Sequence, residues 1–181
     1  MTTRKMDSLA SFGVDINARS FLLDGDVDDD MLRTVWQGLA ALGISKPIQI
    51  YLNSGGGDLD VAFGIYDILR NYEQELSIVV VGSACSAATV ILQAADRRLI
   101  TENSYLMVHE GSVVLNTDES QRNLDKWSAH YKVYTDKMMK LYAEKMNQPV
   151  SRIKKLLQTD QLYIGEEAVK AGLVDAIWMK K

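Results

Sequence analysis

The segment Ile78-Val79-Val80-Val81-Gly82-Ser83-Ala84-Cys85-Ser86 constrains this chain most, together with the Ala87-Ala88-Thr89-Val90-Ile91-Leu92 run that follows it. Consecutive β-branched residues favour an extended strand, and Gly82 predicts a turn at its end. The apolar run after Ser86 predicts a helix to about Ala95, with Ser86 at its start. A strand passing through small residues into an apolar helix belongs to a layered α/β arrangement, and the rest of the chain repeats the alternation.

Residues 19–24 predict a strand closed by Gly25. Asp28 to Asp30 cap a helix running to about Leu42, with Met31, Leu32, Val35, Trp36, Leu39 and Leu42 on one side and Gly43 and Pro47 as its stop. Ile48 to Leu52 predicts a short strand, residues 53–58 a turn, and Leu59 to Arg70 a second amphipathic helix. Two short strands follow, at Arg98 to Thr101 and Tyr105 to Val108. Residues 112–116 are expected to be extended, and Thr117 to about Met146 forms a long, charged helix broken by Pro149. Ser151 caps a short helix to about Leu157. The end of the chain predicts a helix over residues 166–171, a stop at Gly172 and a last strand over residues 174–178. Gly13 to Phe21 predicts a β-hairpin around Asn17. A long solvated helix projecting from an α/β domain calls for a packing partner, and a second subunit is the simplest one.

Length and charge narrow the function classes. At 181 residues the chain fits one domain with one core. The net charge of −4 lends no support to a nucleic-acid or anionic-membrane partner. Cys85 is the one cysteine, so no intramolecular disulfide forms, which suits a reducing, cytoplasmic setting. No apolar run approaches the roughly 20 residues of a membrane span, and residues 1–10 lack a secretory signal's apolar core. No spacing of His, Cys, Asp and Glu suits a metal, and no cofactor is expected. The acidic run from Asp24 to Asp30 lacks the interior glycine and closing glutamate of a calcium loop.

Three residues carry candidate chemistry. A serine where a strand turns into a helix exposes its hydroxyl and can act as a nucleophile if an imidazole takes its proton. Of the two histidines in the chain, His109 ends an apolar run. Asp160 is the carboxylate that would orient it. On spacing alone, a helix-capping Ser86 and a satisfied strand-end His109 explain these residues as well. Gly55-Gly56-Gly57 presents backbone N–H groups suited to an oxyanion, although a tight turn accounts for it equally, and no Gly-Lys-Ser/Thr follows to make it a phosphate loop. Cys85 is an alternative nucleophile or, more simply, a small buried filler. His130, among Lys126, Lys132 and Asp136, belongs to a solvated helix face.

Four ordered blocks resemble the ClpP family, the proteolytic subunit of the Clp protease. They are residues 51–57 with Gly64-Ile65-Tyr66-Asp67, residues 82–88, residues 103–109, and Asp160 with Gly165, Glu167-Ala168-Val169 and Gly172-Leu173-Val174-Asp175. The resemblance runs from about Phe21 to Ile177. It implies a ClpP/crotonase-type fold of repeated ββα units, in a single domain over residues 1–181. Residues 1–20 form a divergent N-terminal segment, and residues 110–146 supply a handle strand and helix between stacked rings. It implies Ser86 as nucleophile, His109 as base and Asp160 as its partner, with the backbone N–H groups of Gly56 and Ala87 as the oxyanion hole. Substrate, an extended peptide or unfolded protein, would lie against Gly57, Asp58 and Leu59 on one side and Val113, Val114 and Leu115 on the other.

The departures from the family pattern bear on partners. Gly55 replaces a proline in the glycine loop, Ala87-Ala88 replaces Met-Gly, and Glu110-Gly111 replaces Gln-Pro after the histidine. The handle-strand glycines are replaced by Ser112-Val113-Val114. Of two aromatics expected in an unfoldase-docking pocket, Tyr51 is kept and the other position holds Gln49. The resemblance implies an AAA+ unfoldase as a partner; with the short segment before Phe21, these changes count against it. The expectation is a serine endopeptidase in a homo-oligomer of two stacked seven-membered rings. The alternatives are a dedicated ATP-independent maturation protease of virus type and a catalytically silent ring subunit. A crotonase-type hydratase would leave the Ser-His-Asp set unexplained, and a Ser-Lys signal-peptide peptidase would need a membrane span.

Overall fold

The computed structural model describes residues 13–111 and 120–179. The predicted extended segment at residues 112–116, and with it Val113, Val114 and Leu115, lies outside the described residues.

The hairpin around Asn17 is present. Val14–Asp15 (β1) pairs antiparallel with Ser20–Val27 (β2), Val14 opposite Phe21. The Asp15 carboxylate accepts the N–H groups of Asn17 and Ala18 at 2.8 and 2.9 Å. β2 does not stop at Gly25. A register shift between Asp24 and Asp26 lets it continue beside the next strand to Val27, because a bulge absorbs the extra residue without ending the ladder.

Asp29–Leu42 (α1) starts as its acidic residues predict, with the Asp28 carboxylate accepting from the N–H groups of Asp30 and Met31. Met31, Val35, Leu39 and Leu42 are buried. Trp36, expected on the same side, is 59% exposed. One residue beyond Val35 is a rotation of about 100°, enough to carry it off the inward stripe.

Ile48–Gly57 (β3), Leu59–Arg70 (α2) and Leu76–Cys85 (β4) follow. Both strands are longer than predicted. The Asn53 to Asp58 segment is not a free turn, since β3 runs on through its glycines, paired with β2 as far as Val27 opposite Gly57. β4 likewise passes through Gly82, which takes φ +95°. A Cβ there would lie 2.5 Å from Asn53 Oδ1, so only glycine lets the strand bend at that point.

That bend divides β4 between two neighbours. Its first half pairs parallel with Arg97–Ile100 (β5), and its second half with Tyr105–Val108 (β6). Ala87–Leu92 (α3) links β4 to β5 and ends short of Ala95. Gln121–Lys145 (α4) is the long helix, Val150–Leu156 (α5) the short one after Pro149, and Glu166–Lys170 (α6) the last. Pro149, not Ser151, occupies the cap position of α5, because proline suits a helix start that needs no N–H. The final strand shortens to Ala176–Ile177 (β8), parallel to β5.

Gln161–Ile164 (β7) has no counterpart among the predicted strands. It pairs antiparallel with β6, Val108 opposite Gln161. Leu162 and Ile164 are more than half exposed, so β7 lacks the apolar-in, polar-out alternation that marks a strand in sequence. The sheet order is β1-β2-β3-β4-β5-β8, with β6 and β7 branching from β4. α1, α2 and α3 bury their inward residues with Ile50, Leu52, Ile78 and Val80 of the central strands.

Candidate active site

Sheet register brings three distant residues to one edge. β4 and β6 run parallel with Cys85 opposite Met107, so Ser86 and His109 leave the sheet at the same end. β7 returns antiparallel with Gln161 opposite Val108, which sets Asp160 beside His109. The Ser86 N–H donates to the Met107 carbonyl at 2.8 Å and fixes the first of these junctions.

Ser86 joins β4 to α3 at φ 52°, ψ −124°. A non-glycine residue in positive φ is held there by its surroundings. Its side chain makes no capping hydrogen bond to α3. Instead Ser86 Oγ lies 2.7 Å from His109 Nε2, a hydrogen-bond distance. The cap explanation of Ser86 therefore fails. The Ser86 carbonyl accepts from the Thr89 N–H at 3.0 Å and the Thr89 hydroxyl at 2.5 Å. The Thr89 hydroxyl also meets that of Tyr142, which reaches in from α4 and is fully buried. Burial pushes the Tyr142 phenol up, so it stays a neutral partner.

His109 Nδ1 and Asp160 Oδ1 are 3.8 Å apart. This is an ion-pair distance but not a hydrogen bond. The His109 side chain is 25% exposed and that of Asp160 73%. Glu110 is exposed, and its carbonyl accepts from the Tyr131 hydroxyl at 3.0 Å. Cys85 is buried, and burial raises its thiol, with hydrogen bonds from Tyr105 and Ser83 opposing only in part. It therefore remains protonated and is a poor nucleophile.

The glycines of β3 reach the elbow from the other side. Gly56 takes φ +104°, and a Cβ on it would sit 2.8 Å from both the Cys85 carbonyl oxygen and Ser86 Cβ. Its N–H donates to Ser54 Oγ at 3.1 Å. Ala87 is the first residue of α3, where helix geometry leaves the N–H without an intrahelical acceptor. A cavity of about 420 Å³ opens beside Ser86 and His109. Gly57, Asp58 and Leu59 line one wall, and the α4 side chains Trp127, His130, Tyr131 and Tyr134 line another. His130, expected on a solvated helix face, is one of these lining residues, and Trp127, Tyr131 and Tyr134 are not singled out by the sequence reading. Their i, i+3, i+4, i+7 spacing was the available signal that they share one side of the helix.

Known proteins resemble this chain in sequence and, for one solved structure, in fold. The family model described as Clp protease matches residues 4–181. The ATP-dependent Clp protease proteolytic subunit 2 of Treponema denticola is 28% identical over 172 residues, covering 90% of this chain and 82% of that protein. The corresponding subunit of Deinococcus radiodurans is 28% identical over 156 residues, covering 83% and 76%. A solved structure of a ClpP1 point mutant from Listeria monocytogenes superposes with a TM-score of 0.81 at 24% identity, over 92% of this chain and 94% of that one. That likeness concerns the fold, which is the mixed α/β ClpP type expected from the four sequence blocks. The match across nearly the whole sequence establishes that the chain belongs to the Clp protease family and is a serine-type peptidase.

Proposed function

We propose that this chain, as a single domain, cleaves peptides or unfolded proteins with Ser86 as nucleophile, His109 as general base and Asp160 as its orienting carboxylate. The observation that carries the reading is the 2.7 Å contact between Ser86 Oγ and His109 Nε2, at a serine held in positive φ and free of any capping bond.

In the first step Ser86 Oγ attacks the scissile carbonyl carbon, and its proton passes to His109 Nε2. The carbonyl π pair becomes an oxyanion facing the N–H groups of Gly56 and Ala87. The Gly56 N–H is engaged by Ser54 Oγ and exchanges that partner for the oxyanion. On collapse, His109 returns the proton to the leaving amine and an acyl-Ser86 remains. Water, deprotonated by His109, then attacks the acyl carbon; as this second tetrahedral intermediate collapses the bond to Ser86 Oγ breaks, His109 returns the proton to that oxygen, and the acid leaves. Each proton transfer passes through an imidazolium, which Asp160 stabilises. Closing the 3.8 Å gap to hydrogen-bond length requires Asp160 to approach by about 1 Å, a tightening ordinary for a resting site.

The peptide lies against Gly57, Asp58 and Leu59, which line the cavity, and against Val113, Val114 and Leu115. The protein assembles as two stacked seven-membered rings in the cytoplasm, and α4 contributes the contact between rings. Support for assembly comes from Val133, an apolar α4 side chain that is more than half exposed and lies outside the cavity. No helix among the described residues is long and apolar enough to cross a membrane. Gln49, standing where a second docking aromatic is expected, counts against an AAA+ unfoldase as a further partner.

Intact-mass analysis after fluorophosphonate treatment tests the assignment. One adduct is expected, mapping to Ser86 and absent from Ser86→Ala, which also loses peptide cleavage. An adduct on another residue, or cleavage retained by Ser86→Ala, would move the nucleophile elsewhere.

A further inference from the structure

The cavity beside Ser86 has an uneven chemistry. Its ionisable wall includes Asp58, Asp60 and Glu110, all solvent-exposed carboxylates. Its floor is aromatic, built from Trp127, Tyr131 and Tyr134 on one side of α4. No lysine or arginine is among its described lining residues. Tyr134 already accepts a cation on its ring, with Lys137 Nζ 5.0 Å from the centroid, although Lys137 itself borders the adjoining groove. The His130 ring packs against Trp127 and Tyr134, at 6.0 and 4.9 Å between centroids. These contacts brace the aromatic wall.

We propose that this cavity selects substrates with an arginine or lysine at the residue that supplies the scissile carbonyl. The inference rests on the serine-peptidase reading above, since that residue is the one whose side chain leaves the attacked carbon next to Ser86. Ring faces attract a guanidinium or ammonium through their quadrupole and cover its aliphatic stem at the same time. The carboxylates at the rim then meet the charged end. Each is exposed and screened, so each adds only a few-fold by itself. Three such carboxylates around one cavity, added to its aromatic floor, give a preference of about tenfold. An acidic side chain at the same position meets three like charges and is rejected. A neutral aliphatic one gains the rings but nothing from the carboxylates.

The test uses the full-length protein and four fluorogenic peptides identical except at that residue, which is arginine, citrulline, leucine or glutamate. Citrulline keeps the shape of arginine without its charge. The expected kcat/KM is about tenfold higher for arginine than for citrulline, with glutamate lowest. That ratio should shrink severalfold in Asp60→Asn and in Glu110→Gln, and again at high ionic strength. Because each ratio is measured on one preparation, partial loss of folded protein cancels. Equal rates for arginine and citrulline, or a ratio unmoved in both variants, overturn the proposal while hydrolysis and Ser86 labelling persist. Absence of fluorophosphonate labelling together with absence of hydrolysis of every peptide overturns the peptidase reading itself.

Discussion

Ser86 holds its positive-φ geometry through residues buried behind it. Its carbonyl is gripped by the Thr89 backbone and hydroxyl, and Thr89 is in turn backed by the buried Tyr142 hydroxyl. Thr89→Val keeps the shape but removes the hydroxyl, leaving Tyr142 without its partner. It should cost about 1–3 kcal/mol in chemical denaturation and lower kcat more than it raises KM, with Thr89→Ser restoring both. A purely structural role would lower stability without the split between kcat and KM. Asp160 stands differently. It is 3.8 Å from His109 and largely exposed, so in the proposed mechanism it would support an imidazole already engaged with Ser86. Asp160→Asn should reduce kcat by roughly 10- to 100-fold, less than the roughly 1,000-fold or greater loss expected for His109→Ala in the same steady-state assay. Equal losses would mean that the aspartate closes fully before any chemistry occurs.

At the scale of elements, the split of β4 at Gly82 decides the site, and the clamp of β5 to β8 steadies the opposite edge. Arg98 donates to the carbonyls of Gly172 and Leu173 and to the Asp175 carboxylate, while the Asp175 carboxylate also accepts the Arg98 N–H at 2.8 Å. Burial by itself would raise the Asp175 carboxyl, but the hydrogen bonds and charge of Arg98, aided by Lys145, hold it below its ordinary value. A carboxyl lowered in the folded state adds stability that is present above its unfolded pKa of about 4 and is lost as pH falls through the lower folded value. Asp175→Asn should therefore melt earlier than the parent at pH 7, and the difference should narrow towards pH 3. A difference in Tm that is constant with pH would show that the carboxylate's charge is not what ties the two strands.

On the scale of the whole molecule, α4 reaches well beyond the core it serves. Its last turns bury Met138, Leu141 and Tyr142, whereas Val133 is 52% exposed. An apolar surface of this kind on a long helix is suited to a second copy of the chain. Val133→Glu should lower the assembled mass measured by light scattering while the circular dichroism spectrum of the protomer is unchanged. A parent protein that sediments as a monomer of 20.2 kDa would remove the ring from the reading.

The order of local elements was legible because each carries its own signal. Examples are the Asp28 cap, the Gly43 stop, the Ile78 to Val81 run and the hairpin around Asn17, all set by neighbours within a few residues. The candidate trio was also legible, through the residue types and the family-like blocks around them. What could not be read locally depends on partners far away in the chain. Gly82 looked like a turn because only Asn53, some thirty residues earlier, explains why the strand bends and continues there. β7 carried no alternation, since it is defined by hydrogen bonding to β6 and not by burial. Trp127, Tyr131 and Tyr134 became a cavity wall only once α4 was laid across the end of the sheet. Sequence determined the order of the helices and of most strands, and which residues can do chemistry. Tertiary register alone decided that a serine, a histidine and an aspartate from three strand ends meet, because hydrogen-bonded pairing, unlike propensity, acts between residues that share no local signal.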